Sequence, residues 1–125
     1  MAQPHTTFSA NLGFLWTDLP LPEAIHAAAA ADFAAVELHY PYATPARDVR
    51  AALRETGLPC LGLNTQLGDV SAGEFGLGAL PHRQDQARQA VEQALEYASE
   101  IDASAVHVLA GKAEGPAAHG AFLDT

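Results

Sequence analysis

Asp32-Phe33-Ala34-Ala35-Val36-Glu37-Leu38-His39 reads as a turn residue followed by a short strand that ends in alternating apolar and polar side chains. The same plan returns in Gly57-Leu58-Pro59-Cys60-Leu61-Gly62-Leu63-Asn64 and in Asp102-Ala103-Ser104-Ala105-Val106-His107-Val108-Leu109. Each run follows a segment with helical periodicity, and Phe8 to Leu12 supplies one more strand ahead of them. Strands alternating with helices point to βαβ units and a parallel sheet. Successive side chains of a strand point to opposite faces, so each strand yields two sets. One set is uniformly apolar and suits a face covered by helices: Phe8, Ala10 and Leu12, Val36 and Leu38, Leu61 and Leu63, Val106 and Val108. The other is small or polar: Ser9 and Asn11, Glu37 and His39, Gly62 and Asn64, His107 and Leu109. A doubly wound sheet is buried on both faces and would read apolar on both. A polar second face fits the interior of a parallel (β/α) barrel, whose C-terminal mouth carries the site in such enzymes. The fold class is therefore α/β, with about four βα units present, half of the roughly eight that a closed barrel needs.

The intervening helices are legible. Pro20 and Pro22 open the first, with Leu21, Ile25, Ala28 and Ala29 along one face. Thr44 before Pro45 predicts an N-cap with proline at the first helical position, then a buried stripe of Val49, Ala52 and Leu53 and a stop at Gly57. A third helix is predicted from about Gln84 to Ile101, with Ala87, Val91, Ala94, Leu95 and Ala98 as its stripe. Asp32 and Asp102 stand at the helix-ending position that Gly57 fills, which predicts left-handed backbone and slight strain at both. The connection from Asn64 to Gln84 carries Gly68, Gly73, Gly76, Gly78 and Pro81 and is far longer than the usual strand-to-helix loop. Such loops are functional or mobile. Ala117 to Thr125 reads as the start of a fourth helix, and residues 1–125 read as one domain.

Composition excludes several classes. The net charge of −9 leaves no basic stripe for phosphate backbones or anionic membrane surfaces, so neither nucleic acid nor membrane is an expected partner. Cys60 is the single cysteine and has no internal disulfide partner. Met1-Ala2-Gln3-Pro4-His5 lacks the charged-then-apolar plan of an export signal. The most apolar stretch, Ala27 to Leu38, is broken by Asp32 and Glu37 and is too short to span a bilayer. A cytoplasmic protein is the expectation. Gly73-Glu74-Phe75-Gly76-Leu77-Gly78 has the wrong glycine spacing for a dinucleotide, and Gly111-Lys112 lacks the rest of a phosphate loop. No histidines fall at helix-face metal spacing, so no metal ligand is assigned.

Asn11, Glu37, His39, Asn64 and His107 are the candidate substrate-shell residues, because four strand ends place them on one face. Each also has a structural reading. Asn11 and Asn64 suit turns that cap strand ends, Glu37 suits an ion pair, and His39 suits a surface loop. A lone inward histidine such as His107 is more often hydrogen-bonded structure than an acid–base group.

Three runs carry a family resemblance. Phe8-Ser9-Ala10-Asn11-Leu12-Gly13 with Trp16-Thr17-Asp18-Leu19-Pro20 resembles the opening strand and loop of the hydroxypyruvate isomerases. Val36-Glu37-Leu38-His39-Tyr40-Pro41-Tyr42 is similar to their second strand and its exit. Asn64-Thr65-Gln66-Leu67-Gly68-Asp69, with Ala72-Gly73-Glu74 and Ala79-Leu80-Pro81-His82-Arg83, is the most specific run, and Ala105 to Gly111 completes the likeness. The resemblance implies the N-terminal half of a xylose-isomerase-like TIM barrel. It implies interconversion of hydroxypyruvate and tartronate semialdehyde, or a related small hydroxy-oxo acid, through an enediolate. Two glutamates act as acid and base in that family, and a divalent metal commonly steadies the oxyanions. Those glutamates lie on strands five to eight, so no catalytic residue is carried over. The expectation is a truncated chain, inactive alone, that binds no cofactor by itself and self-associates or is complemented by the missing half. Phe75 departs from the family pattern, where a polar Arg or Asn is expected. The alternatives are a non-catalytic half barrel that works by pairing with another chain, a sugar-phosphate epimerase, or a metal-dependent endonuclease on the same barrel. The acidic charge weighs against the last.

Overall fold

The computed structural model describes residues 6–125, so the opening Met1–His5 segment lies outside the described residues. In chain order the elements are β1 (Ser9–Asn11), α1 (Leu21–Ala30), β2 (Ala35–Glu37), α2 (Ala46–Thr56), β3 (Leu63–Asn64), α3 (Gln84–Ile101), β4 (Val106–His107) and α4 (Pro116–Asp124). Short 3₁₀ turns cover Pro41–Ala43 and Val70–Ala72. β1 runs parallel to β2 with Asn11 beside Glu37, and β3 runs parallel to β4 with Asn64 beside His107. A parallel bridge between Val36 and Cys60 joins the two pairs, so the strands follow one another in sequence order across the sheet. That is the succession of βα units in a barrel wall.

The helices cover one side. Ile25 of α1, Val49 of α2, Val36 and Leu63 are fully buried in one core with Ala94 and Tyr97 of α3. Each such side chain contributes about 1.5–3 kcal/mol by leaving water. Val106 packs against the same core while partly buried. The apolar strand set thus faces the helices through Ala10, Leu12, Val36, Leu38, Leu63 and Val106.

Three members of that set do not join that core, Val108 among them, which is half-buried beyond β4. Phe8 precedes the hydrogen-bonded part of β1 and is 66% exposed. Leu61 is 42% exposed and lines the opposite, concave face, while Cys60 takes the buried position facing the helices. The cause is a β-bulge. Val36 donates to Pro59 and accepts from Leu61, pairing Val36 with Cys60, whereas Leu38 donates to Gly62, which sets it beside Leu63. Cys60 to Leu63 spans one residue more than Val36 to Leu38, so Leu61 and Gly62 share the inward side.

Three expectations about the helices are also corrected or sharpened. α2 begins at Ala46 after Pro45, and Thr44 makes no side-chain cap; its carbonyl instead accepts the Tyr97 hydroxyl at 2.8 Å. On α3 the buried stripe is Ala87, Ala90, Ala94, Tyr97, Ala98 and Ile101, while Leu95 is 54% exposed. Asp32 and Asp102 do adopt left-handed backbone, at φ 66° and 62°, as Gly57 does at 71°. The long connection after β3 is organised at both ends. Gly78 and Ala79 donate to Leu109 and Ala110 at the exit of β4, and Glu74 pairs with Arg83. No helix among the described residues is long and apolar enough to cross a membrane.

Candidate functional site

The face turned away from the helices is a depression of ≈ 610 Å³ lined by Asn11, Glu37, His39, Gly62, Asn64 and His107 together with Leu61. All five residues singled out from the sequence therefore border one concave surface, contributed by four consecutive strands. Glu37 is half-buried, and its Oε2 accepts a hydrogen bond from Ser9 Oγ at 2.8 Å. Among the described residues its second carboxylate oxygen accepts no side-chain hydrogen bond. His107 is exposed on the same face.

Asn11 and Asn64 are tied into the scaffold. Asn11 Oδ1 accepts the Gly13 amide at 2.9 Å, closing the turn after β1, which is the structural role its residue type also suits. The Asn64 backbone N–H donates to the His39 carbonyl at 2.9 Å, and the Asn64 backbone carbonyl accepts the Tyr42 hydroxyl. His39 sits at the divide between this depression and a second cavity of ≈ 370 Å³ lined by Trp16, Thr17, Tyr40 and Thr44. Its imidazole meets Phe14 edge-on, with ring centroids 4.9 Å apart, and lies beside Tyr40 at 5.6 Å.

Three supporting residues escaped the sequence reading. Tyr42 packs edge-on against Tyr97 at 5.5 Å and anchors the Asn64 backbone; burial pushes its phenol up to about 12. Its position two residues beyond Tyr40 was the available signal, since paired aromatics at a strand exit need a partner for each hydroxyl. Thr65 is buried, donates its amide to the His107 carbonyl at 3.0 Å, and accepts the Leu109 amide on Oγ1 at 3.0 Å. A threonine directly after an inward asparagine gave no separate signal. Lys112, past the end of β4, stands over the Phe75 ring at 4.8 Å. The apolar residue that departs from the family pattern thus holds a cation by its face.

The loop between them has its own charge network. The backbone amide of Asp69 and the guanidinium of Arg83 hold the Glu74 carboxyl below its usual range. The Ser71 hydroxyl and the Ala72 amide do the same for Asp69. Among the described residues, no three of His, Cys, Asp and Glu come together at metal-holding distances. The described donors of this chain therefore do not by themselves enclose a divalent ion.

A sequence profile described as xylose isomerase-like TIM barrel matches residues 25–124. A Danio rerio protein provisionally named hydroxypyruvate isomerase is 42% identical over 106 residues, 84% of this chain and 38% of its own length. The 2-oxo-tetronate isomerase of Pectobacterium atrosepticum is 43% identical over 104 residues, 83% of this chain and 40% of its own. Among solved structures, an AP endonuclease, family 2, from Brucella melitensis superposes with a TM-score of 0.88 at 32% identity, covering 96% of this chain and 48% of that one. The chain spans about two fifths of the length of these curated relatives.

Proposed function

The chain belongs to the xylose isomerase-like TIM-barrel family, and from that membership we propose that its concave face is one wall of a site that isomerises a small hydroxy-oxo acid. The observation that carries this reading is the convergence of Asn11, Glu37, His39, Asn64 and His107 on one depression at the sheet's inner face. The names of the relatives support the reaction class, and hydroxypyruvate and 2-oxo-tetronate are the substrates they suggest.

The reaction removes a proton from the hydroxyl-bearing carbon and returns one to the neighbouring carbonyl carbon, while a hydroxyl proton passes between the two oxygens. An enediolate lies between. Such a step needs a base within reach and positive charge or hydrogen-bond donors facing the oxyanion. Here Glu37 and the imidazoles of His39 and His107 bind and orient the substrate's hydroxyl and oxo groups. Glu37 is the one carboxylate lining the depression, and a single wall places no donors across the substrate to face the developing oxyanion, so our reading is that these 125 residues alone stay at background and the facing groups come from the other half of a barrel.

The test is interconversion of hydroxypyruvate and tartronate semialdehyde, and isomerisation of 2-oxo-tetronate, with divalent cation supplied. The assay compares the 125-residue chain with a chimaera in which the chain replaces the matching segment of the Pectobacterium atrosepticum enzyme. The chain alone should stay at background while the chimaera turns over. Glu37→Gln in the chimaera should lower kcat/KM about a hundredfold through lost orientation. Turnover by the chain alone near that of the chimaera, or an unchanged Glu37→Gln variant, would overturn the assignment.

A further inference from the structure

β1 brings Ser9 and Asn11 to the site, and both side chains are already engaged within the protein. Ser9 Oγ donates to Glu37 Oε2 at 2.8 Å, occupying one oxygen and fixing the plane of the carboxylate. Asn11 Oδ1 accepts the Gly13 amide at 2.9 Å, and its carbonyl accepts the amides of Phe14 and Leu15, each at 3.1 Å. The turn closed in this way lays Gly13 directly against the His39 ring. A Cβ built on Gly13 would overlap Nδ1, Cε1 and Cγ of that ring, so any larger residue there would push the imidazole out of its present position. Phe14 then meets the imidazole edge-on at 4.9 Å with planes 85° apart. Phe14 is 75% exposed, so core packing does not explain a large ring at this position. Its contact with His39 does.

We propose that β1 and its turn are a positioning device: Ser9 aims Glu37, and Asn11, Gly13 and Phe14 aim His39, without themselves touching substrate. This rests on the reading of Glu37 and His39 as substrate-orienting groups. It reassigns Asn11 from ligand to support. A carboxylate at the end of β2 and an imidazole two residues beyond it are each confined by a neighbour, and that confinement lowers the entropy lost when both must meet a small substrate together.

The chimaera allows a direct test. Phe14→Ala and Gly13→Ala should displace the His39 signals in long-range imidazole ¹H–¹⁵N spectra and lower kcat about tenfold. Should Gly13→Ala fail to fold, Phe14→Ala, at an exposed site, carries the test. Phe14→Trp should restore both readouts, and Ser9→Ala should lower kcat with Ser9→Thr restoring it. A support role predicts KM nearly unchanged in all of these, whereas a ligand role for Asn11 predicts that Asn11→Ala raises KM instead. Unmoved His39 signals with wild-type kcat in Phe14→Ala would overturn the proposal, as would a KM effect confined to Asn11→Ala. His39→Gln with unaltered kinetics would instead overturn the site reading. The spectra would then decide the positioning claim, displaced signals supporting it and undisplaced ones refuting it.

Discussion

Asp102 ends α3 at φ 62° and ψ 39°, where glycine is the residue with no steric cost. Its carboxylate also stands at the negative end of an 18-residue helix. Both effects have the same sign, so Asp102→Gly should raise stability by about 1 kcal/mol. A urea midpoint that stays put, with the slope unchanged, would contradict this. Cys60 makes stability depend on pH in alkali. Burial pushes its thiol from 9.0 up to about 11, so the folded chain keeps the proton after the unfolded chain has lost it. The stability that rests on the neutral thiol is therefore fully present below pH 9.0 and is lost as pH rises toward about 11, and Tyr42 adds a second loss between 10.0 and about 12. Urea midpoints followed into alkali should drop more gently for Cys60→Ala than for the parent chain, from a lower start because the substitution leaves a cavity.

Among the elements, the connection from Thr65 to Pro81 divides into two arms of unequal anchorage. Gly78 and Ala79 are bonded to the exit of β4, and Gly76 bridges Ala110. The arm from Val70 to Gly73 is exposed and bonded only to the loop itself. Hydrogen exchange should be fastest in that first arm and slower at Gly78 and Ala79, and protection of Val70–Gly73 equal to that of α3 would refute the division. The glycine spacing marks the loop as long and adaptable but says nothing of which arm returns to the sheet, since that depends on bonds to residues some thirty positions later. Legibility follows the same rule elsewhere. The bounds of α3 and the two-faced strands were readable because period and alternation are local. The buried stripe of α3 is readable only in part, with Ala87, Ala94 and Ala98 as expected but Leu95 exposed, because alanines on neighbouring faces give little contrast and the choice falls to Tyr97, whose hydroxyl reaches Thr44. Within the site, Glu37, Asn64 and His107 could be placed by counting along strands, whereas the engagement of Asn11 by Gly13 and of Tyr42 by Asn64 needed coordinates.

At the scale of the whole molecule, β1 pairs only with β2 and β4 only with β3 among the described residues, which leaves an open edge at each side of the wall. Leu61 adds exposed apolar surface to the concave side. Open parallel edges invite pairing, so the chain should self-associate, and its net charge of −9 means that added salt should strengthen the association by screening repulsion. Sedimentation showing a compact, cooperatively melting monomer at micromolar concentration in high salt would refute this. The extra residue at Leu61–Gly62 has a further consequence for anyone exchanging segments between related barrels. A crossover placed inside Cys60–Leu63 that matched strand lengths by deleting one residue would turn Leu63 toward the cavity and Asn64 into the helix layer. Recombination junctions would therefore be tolerated on either side of that interval but not within it, and the four residues should be inherited as a block.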